Sequence, residues 1–339
     1  MLGGINLFTK KEGIMERKIV FGFLVGALLV NMVFCRDALA GGRIYDSGQK
    51  SATRYGDPVW MRRIQLIAEN ITYGLWYCVL QEPSPHGYLV PCKGFRRNFP
   101  LGLEKPSSAN WHYAGFGFIM VNGRTIPAFS NAEFKVVKDT PDIGEMEIIW
   151  KADICDVKMR FVVISGSDSL FVEFKIIPTA ESLKSARVVL KNFPSSYKKP
   201  RERIIVTSEH AFKPNATNGG GGELDLTKEK WIFYGDEIHD PAIDESRDTE
   251  GPSGLLYLPF EVEKVKVVTS GPKGDKDYGV DTYFFLNPEN PVIHLALWDF
   301  HKWENDKALK YIKERVETVS YTHLRAHETR HDLVCRLLL

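Results

Sequence analysis

The sequence has little of what most functional assignments rest on. It contains five cysteines in 339 residues, too few for the dense disulfide framework of a small secreted scaffold. Neither sign of charge dominates, with 44 Lys and Arg against 43 Asp and Glu. Outside the first 40 and the last 22 residues the counts are 36 and 38, so no basic face is implied and nucleic acid is not an expected partner. Long hydrophobic runs are missing apart from Ile19 to Phe34, and no membrane span is expected after that segment is removed. Ser195-Ser196 lacks the G-x-S-x-G context of a nucleophile elbow. Helical periodicity is also scarce.

What is there begins with the two ends. Met15-Glu16-Arg17-Lys18 precedes the apolar run, and Ala38-Leu39-Ala40 and Gly41-Gly42 follow it. A basic start, a short apolar core and an A-x-A site describe a secretory signal peptide cleaved after Ala40, with translation starting at Met15. A membrane anchor is the competing reading, but the run is shorter than the ~20 residues a span needs and is interrupted by Asn31. Lipidation at Cys35 is disfavoured by the bulky Met32-Val33-Phe34 before it. The expected location is therefore the periplasm, the cell surface or the medium.

At the other end, Val319-Ser320-Tyr321-Thr322-His323-Leu324-Arg325-Ala326-His327-Glu328-Thr329 resembles one reading frame of a transposase sequencing adapter. Leu333 to Leu339 resembles the flow-cell primer that follows it. Residues 318–339 are accordingly expected to be adapter-derived. His323, His327, His331 and Cys335 recur every four residues, one face of a helix, and would suit zinc. On the adapter reading that stripe is discarded and no metal motif remains. The body, 41–317, is expected to form a single large domain that is incomplete at its C-terminal end.

Within that body the dominant period is two, the spacing that sends alternate side chains to opposite sheet faces. Val157, Met159, Phe161 and Val163 alternate along one run, Ser165-Gly166-Ser167-Asp168 turns the chain, and Val172, Phe174 and Ile176 alternate on the return. This predicts a hairpin. Similar runs recur at 186–191, 203–207, 230–234, 255–258, 262–268, 282–286 and 292–298. Earlier in the chain, Ile71, Tyr73, Leu75, Tyr77 and Val79 alternate, and 116–121 forms a run ahead of an Asn122-Gly123 turn. Many short strands separated by turn residues predict a mainly β, antiparallel sandwich or barrel. One helix is expected, Asn305 to Glu317, from the stripe Ala308, Leu309, Ile312 and Val316, cut short where the adapter begins. Asn218 and the glycines through Gly222 predict an exposed loop. Cys78 and Cys92 are placed to pair across the turn-rich Pro83 to Gly87 segment. Three unpaired core cysteines, Cys155 among them, are the alternative.

Three groups of residues are candidates for chemistry. Asp236, His239 and Asp240 open an acidic stretch that continues through Asp244, Glu245, Asp248 and Glu250. Clustered carboxylates supply an acid and a base when one pKa is raised by its neighbours, or bind calcium through oxygen. The spacing departs from the EF-hand pattern, and a solvated acidic loop explains the same residues. Trp111 and Tyr113, alternating with Phe116 and Phe118, suit a stacking platform for sugar rings. Core packing explains that stripe too. Trp298 and His301, with Asp299 and Trp303, form a polar-aromatic cluster at a strand end. His112 and His210 read as structural.

The hairpin ending in Ser169-Leu170-Phe171-Val172-Glu173-Phe174-Lys175, and Gly251-Pro252-Ser253-Gly254-Leu255-Leu256-Tyr257-Leu258-Pro259 later in the chain, give the stretch from Trp111 to Trp298 its character. That stretch resembles the galactose-mutarotase-like group, whose fold is a two-sheet β-supersandwich. The resemblance implies that architecture, few helices and a carbohydrate connection. In aldose epimerases of the group a His and a Glu serve as acid and base, but neither sits on a matching motif here, so no reaction is assigned. The expected function is that of an exported, carbohydrate-associated protein that binds a saccharide, with sugar-active chemistry as an epimerase, hydrolase or lyase accessory left open, and with no cofactor beyond the calcium considered above. The alternative is a non-catalytic periplasmic or cell-surface structural or adhesion module.

Overall fold

The computed structural model describes residues 42–326 except for 84, 86, 88, 94–100, 113–114, 127–131, 153, 180–181, 195–202, 213–220, 237–250 and 271–278, with side chains of the terminal helix through Val316. The first strands are β1 (Ile44–Asp46), β2 (Lys50–Arg54), β3 (Asp57–Ile67), β4 (Thr72–Pro83), β5 (Leu89–Pro91) and β6 (Leu101–Lys105). The middle of the chain forms β7 (Gly117–Val121), β8 (Arg124–Thr125), β9 (Glu133–Asp139), β10 (Ile143–Lys151), β11 (Cys155–Ile164), β12 (Leu170–Pro178) and β13 (Ala186–Asn192). Then come β14 (Arg203–Val206), β15 (Ala211–Phe212), β16 (Gly221–Glu223), β17 (Trp231–Asp236) and β18 (Ser253–Tyr257). A 3-10 turn (Pro259–Glu261) leads into β19 (Val262–Ser270), β20 (Gly279–Leu286), β21 (Val292–Asp299) and the helix α1 (Asn305–Ala326).

All recorded strand pairs are antiparallel, and the sheets are open, so the sandwich and not the barrel is realised. The nine-stranded sheet runs β15-β14-β17-β18-β21-β12-β11-β10-β9, and one six-stranded sheet runs β16-β19-β20-β13-β7-β8. The other six-stranded sheet is built from β1 to β6 around the β3-β4 pair. The expected two sheets are thus three. The extra one comes from the first sixty described residues, where polar and charged side chains such as Arg62, Arg63 and Gln65 interrupt the apolar alternation of β3 and hide its period.

The β11-β12 hairpin shows how the period sets the layers. Val157, Met159 and Phe161 stand opposite Ile176, Phe174 and Val172 in register, all on one face. That face continues through Ile148, Leu295, Leu255 and Ile232 into a single core, which also contains Leu75 and Tyr77 of β4 and Val188 and Phe284 of the β7 sheet. Two six-stranded sheets therefore share the inner face of the nine-stranded one. Contacts at the β11-β12 turn fasten the β4 sheet in place. Asp168 Oδ1 accepts from the Asn70 N–H at 2.9 Å, its carbonyl accepts from the Tyr73 hydroxyl at 2.6 Å, and Glu69 Oε2 accepts from the Gly166 N–H at 3.0 Å.

The outer face is covered by α1. Ala308, Ile312 and Val316 pack on Trp231, Phe233, Leu256, Ala296 and Trp298, the stripe expected from the heptad-like spacing. The helix backbone runs on to Ala326, past the expected end at Glu317 and through residues assigned to the adapter. Gly221 and Gly222, expected in a loop, pair with Val268 and Val267 as the edge strand β16. Gly221 does so at φ +152°, where a Cβ would fall 2.1 Å from the Val267 carbonyl oxygen, so only glycine fits. A disulfide joins Cys78 to Cys92, with Cα atoms 5.6 Å apart. It sits in a small cluster with Val59 and Trp76 on the outer side of the β4 sheet. Cys155 is buried in the main core.

Candidate functional site

Polar side chains seldom go inside without a reason, because an unpaired buried group costs about 1–3 kcal/mol. Here they collect where β13, β17, β18 and β21 end together. The in-register row Tyr234, Ser253 and Asp299 crosses β17, β18 and β21 on the inner face. Asn192 at the end of β13 donates from Nδ2 to Ser253 Oγ at 2.7 Å, and Asn110 donates to Asp299 Oδ1 at 3.0 Å and to the Pro252 carbonyl at 3.2 Å. Asn192 Oδ1 is buried without a hydrogen-bond partner among the described residues. Tyr234 shares a 2.5 Å hydrogen bond with Thr282 Oγ1, and burial pushes its phenol far above the usual range, so it stays neutral. Asn110, Asn192, Ser253 and Asp299 offer amide, hydroxyl and carboxylate groups, a set that both donates and accepts.

Two enclosed ion pairs flank this cluster. Asp236, the last residue of β17, faces Arg203 across the strand pair, with Nη1 3.7 Å from Oδ2 and both side chains at most 1% exposed. Lys191 Nζ lies 2.9 Å from Asp281 Oδ1, its partner in the register of β13 and β20. The Lys191 ammonium also sits 5.0 Å from the Phe193 ring, against which the buried His112 ring is tilted at 4.8 Å.

Among the residues singled out from the sequence, Asp236 belongs to a strand and not to a solvated loop. His239, Asp240 and the rest of the acidic stretch through Glu250 lie outside the described residues, as does Tyr113. Trp111 and Trp298 are each 1% exposed. Trp111 Nε1 donates to the Trp298 carbonyl at 3.1 Å and its ring meets Tyr234 edge-on, so both indoles serve as packing and neither offers an open face. His301 is half-buried in the turn after β21. Nearby, Trp303, Tyr311 and Phe300 form a triangle with centroids 5.3–5.7 Å apart, Tyr311 edge-on to both other rings and Phe300 tilted against Trp303, and Lys307 sits 4.0 Å over Trp303. His210 contacts Glu229 at 2.9 Å and stacks on Phe212. Among the described residues no three His, Cys, Asp or Glu side chains converge to hold a metal ion.

Sequence reasoning did not single out Asn110, Asn192 or Ser253. Each sits in an otherwise ordinary strand or turn, and only the pairing of strands sixty or more residues apart brings them together. The usable local signal was the polar residues near one end of each apolar strand: Lys191-Asn192 and Asp299 at the close of β13 and β21, and Asp281-Thr282 near the start of β20.

No protein-family model matches the sequence, and no curated protein matches it. Among solved structures, the α-N-acetylgalactosaminidase NagBb from Bifidobacterium bifidum, in complex with GalNAc, is similar over 78% of this chain and 39% of its own, at 9% identity and a TM-score of 0.42. The GH36 α-galactosidase AgaB from Geobacillus stearothermophilus is similar over 74% and 41%, at 9% identity and a TM-score of 0.37. A GalM/aldose epimerase homologue from C. elegans is similar over 75% and 99%, at 8% identity and a TM-score of 0.34. The chain spans about two fifths of the length of the first two.

Proposed function

We propose that this is an exported β-sandwich protein that binds a saccharide at the strand-end cluster. The observation that carries the reading is the convergence of Asn110, Asn192, Ser253 and Asp299 between the sheets, with Asn192 Oδ1 left to accept a donor. Sugar hydroxyls both donate and accept, and amides beside a carboxylate match that requirement. The basic start, apolar core and A-x-A site at Met15 to Ala40 support export.

A second reading, a non-catalytic structural or adhesion module, is favoured by a specific observation: Trp111, Trp298 and Asp236 are enclosed and occupied with one another or with the strands beside them, and Asn110, Asn192, Ser253 and Asp299 are themselves at most 1% exposed. A glycan array together with thermal shift on the chain separates the two. A bound ligand at 100 times its Kd stabilises the folded state by about 2.7 kcal/mol. The saccharide reading expects an upward melting shift with at least one neutral glycan, lost in Asn192→Ser. No binding anywhere on the array would leave the structural module.

A further inference from the structure

Far from the strand-end cluster, the outer face of the nine-stranded sheet carries an imidazole set between two carboxylates. His294 of β21 stands opposite Glu173 of β12, and its Nε2 lies 3.0 Å from Glu173 Oε2. Its Nδ1 lies 2.6 Å from Glu261 Oε1, while its backbone N–H donates to Glu261 Oε2 at 2.8 Å. Glu261 closes the 3-10 turn Pro259–Glu261, which carries the chain from β18 in the nine-stranded sheet to β19 in the six-stranded one. Within the turn, the Glu261 N–H bonds the Leu258 carbonyl and the Val262 N–H bonds the Pro259 carbonyl.

We propose that Glu173, His294 and Glu261 form a proton-operated latch that holds the crossover turn between the two sheets against the outer face of the nine-stranded sheet. Carboxylates only accept, and only the protonated ring has a donor for each of them. A neutral ring keeps one N–H and turns a bare nitrogen toward the other carboxylate. The contact that keeps the N–H loses the pairing of opposite charges, and the other sets two lone pairs against each other and is no longer a hydrogen bond. The other charges in reach are Arg160, opposite Glu173 on β11, and Lys158 on the same strand. Arg160 is itself bonded to Glu145 at 2.6 Å.

Burial draws the imidazolium down, but hydrogen bonds to the two carboxylates outweigh it and lift its pKa to about 9. The same contact with His294 holds Glu173 below its usual range. A raised folded-state pKa places the latch's stabilisation fully in force below about pH 6.5, the unfolded value, and removes it as pH climbs through about 9.

Amide exchange by NMR on the whole chain from pH 6 to 10, corrected for intrinsic rates, tests this. Protection of the Glu261, Val262 and His294 amides should fall severalfold in a step near pH 9 while β11 and β12 stay protected. His294→Gln should show the low level at every pH, and Glu173→Gln should move the step toward lower pH. Flat protection through pH 10, wild-type protection in His294→Gln at pH 7, or simultaneous opening of β11 and β12 would each overturn the latch. If His294→Gln does not fold, Glu173→Gln decides alone: an unmoved step overturns the proposal.

Discussion

A carboxylate with no exposed surface, Asp236, faces an equally enclosed guanidinium, Arg203, across β17 and β14. Removing two charges from water is expensive, and their attraction inside roughly offsets that cost only while both are present. Breaking such a pair leaves one buried charge behind and typically costs about 3–5 kcal/mol. We therefore predict that Asp236→Asn lowers unfolding stability by about that amount, read as a shift in the denaturant midpoint at constant slope. A loss under about 1 kcal/mol, the range of exposed pairs, would return Asp236 to the solvated acidic stretch. The sequence pointed to Asp236 for its acidic neighbours. What holds it is 33 residues upstream, and no local pattern reports that.

On the outer face, the fit of α1 to its sheet depends on two glycines. A Cβ on Gly254 would meet Ile312 Cδ1 at 2.3 Å, and one on Gly235 would meet the Phe233 ring at 2.7 Å and Asn305 Oδ1 at 3.0 Å. Asn305 also donates from Nδ2 to the Asp236 carbonyl at 2.7 Å, fixing the first turn of the helix on the end of β17. Gly254→Val should push the helix outward and cost about 1–3 kcal/mol, the usual penalty of overpacking. Ile312→Ala should partly restore Gly254→Val. Additive losses in the double variant would mean that the two side chains do not meet. The helix stripe was legible because Ala308, Ile312 and Val316 stand on one face at helical spacing. Its landing site was not, because β17, β18 and β21 are apolar on both faces and period two cannot say which face meets a helix. Trp298, expected in a polar-aromatic cluster at a strand end, is the floor under α1.

At the scale of the molecule the question is whether three sheets unfold as one. The main core contains side chains from all of them, from Leu75 and Tyr77 through Phe161 and Phe174 to Val188 and Phe284. Phe116 links layers by meeting Phe161 at 6.5 Å and Phe174 at 6.3 Å. Core continuity of this kind couples the sheets, since loss of one exposes the inner face of another to water. The sequence foretold the sandwich because β11 and β12 alternate cleanly. It did not foretell the third sheet, whose attachment rests on Asp168, Tyr73 and Asn70, nearly a hundred residues apart in the chain. Phe161→Ala, a change in the shared layer, should cost about 3–5 kcal/mol. It should also lower the protection of β3 and β4 amides together with that of β11 and β12. Replacing Cys78 and Cys92 by Ala opens a loop of about 15 residues, worth about 3 kcal/mol in the chain-entropy account. If the core is one unit, that change lowers the same single transition, with far-UV circular dichroism and tryptophan fluorescence coincident. If instead the β1 to β6 sheet melts first in the cysteine variant while β11 and β12 keep their protection, the shared core does not couple the layers and the N-terminal sheet is a separable element.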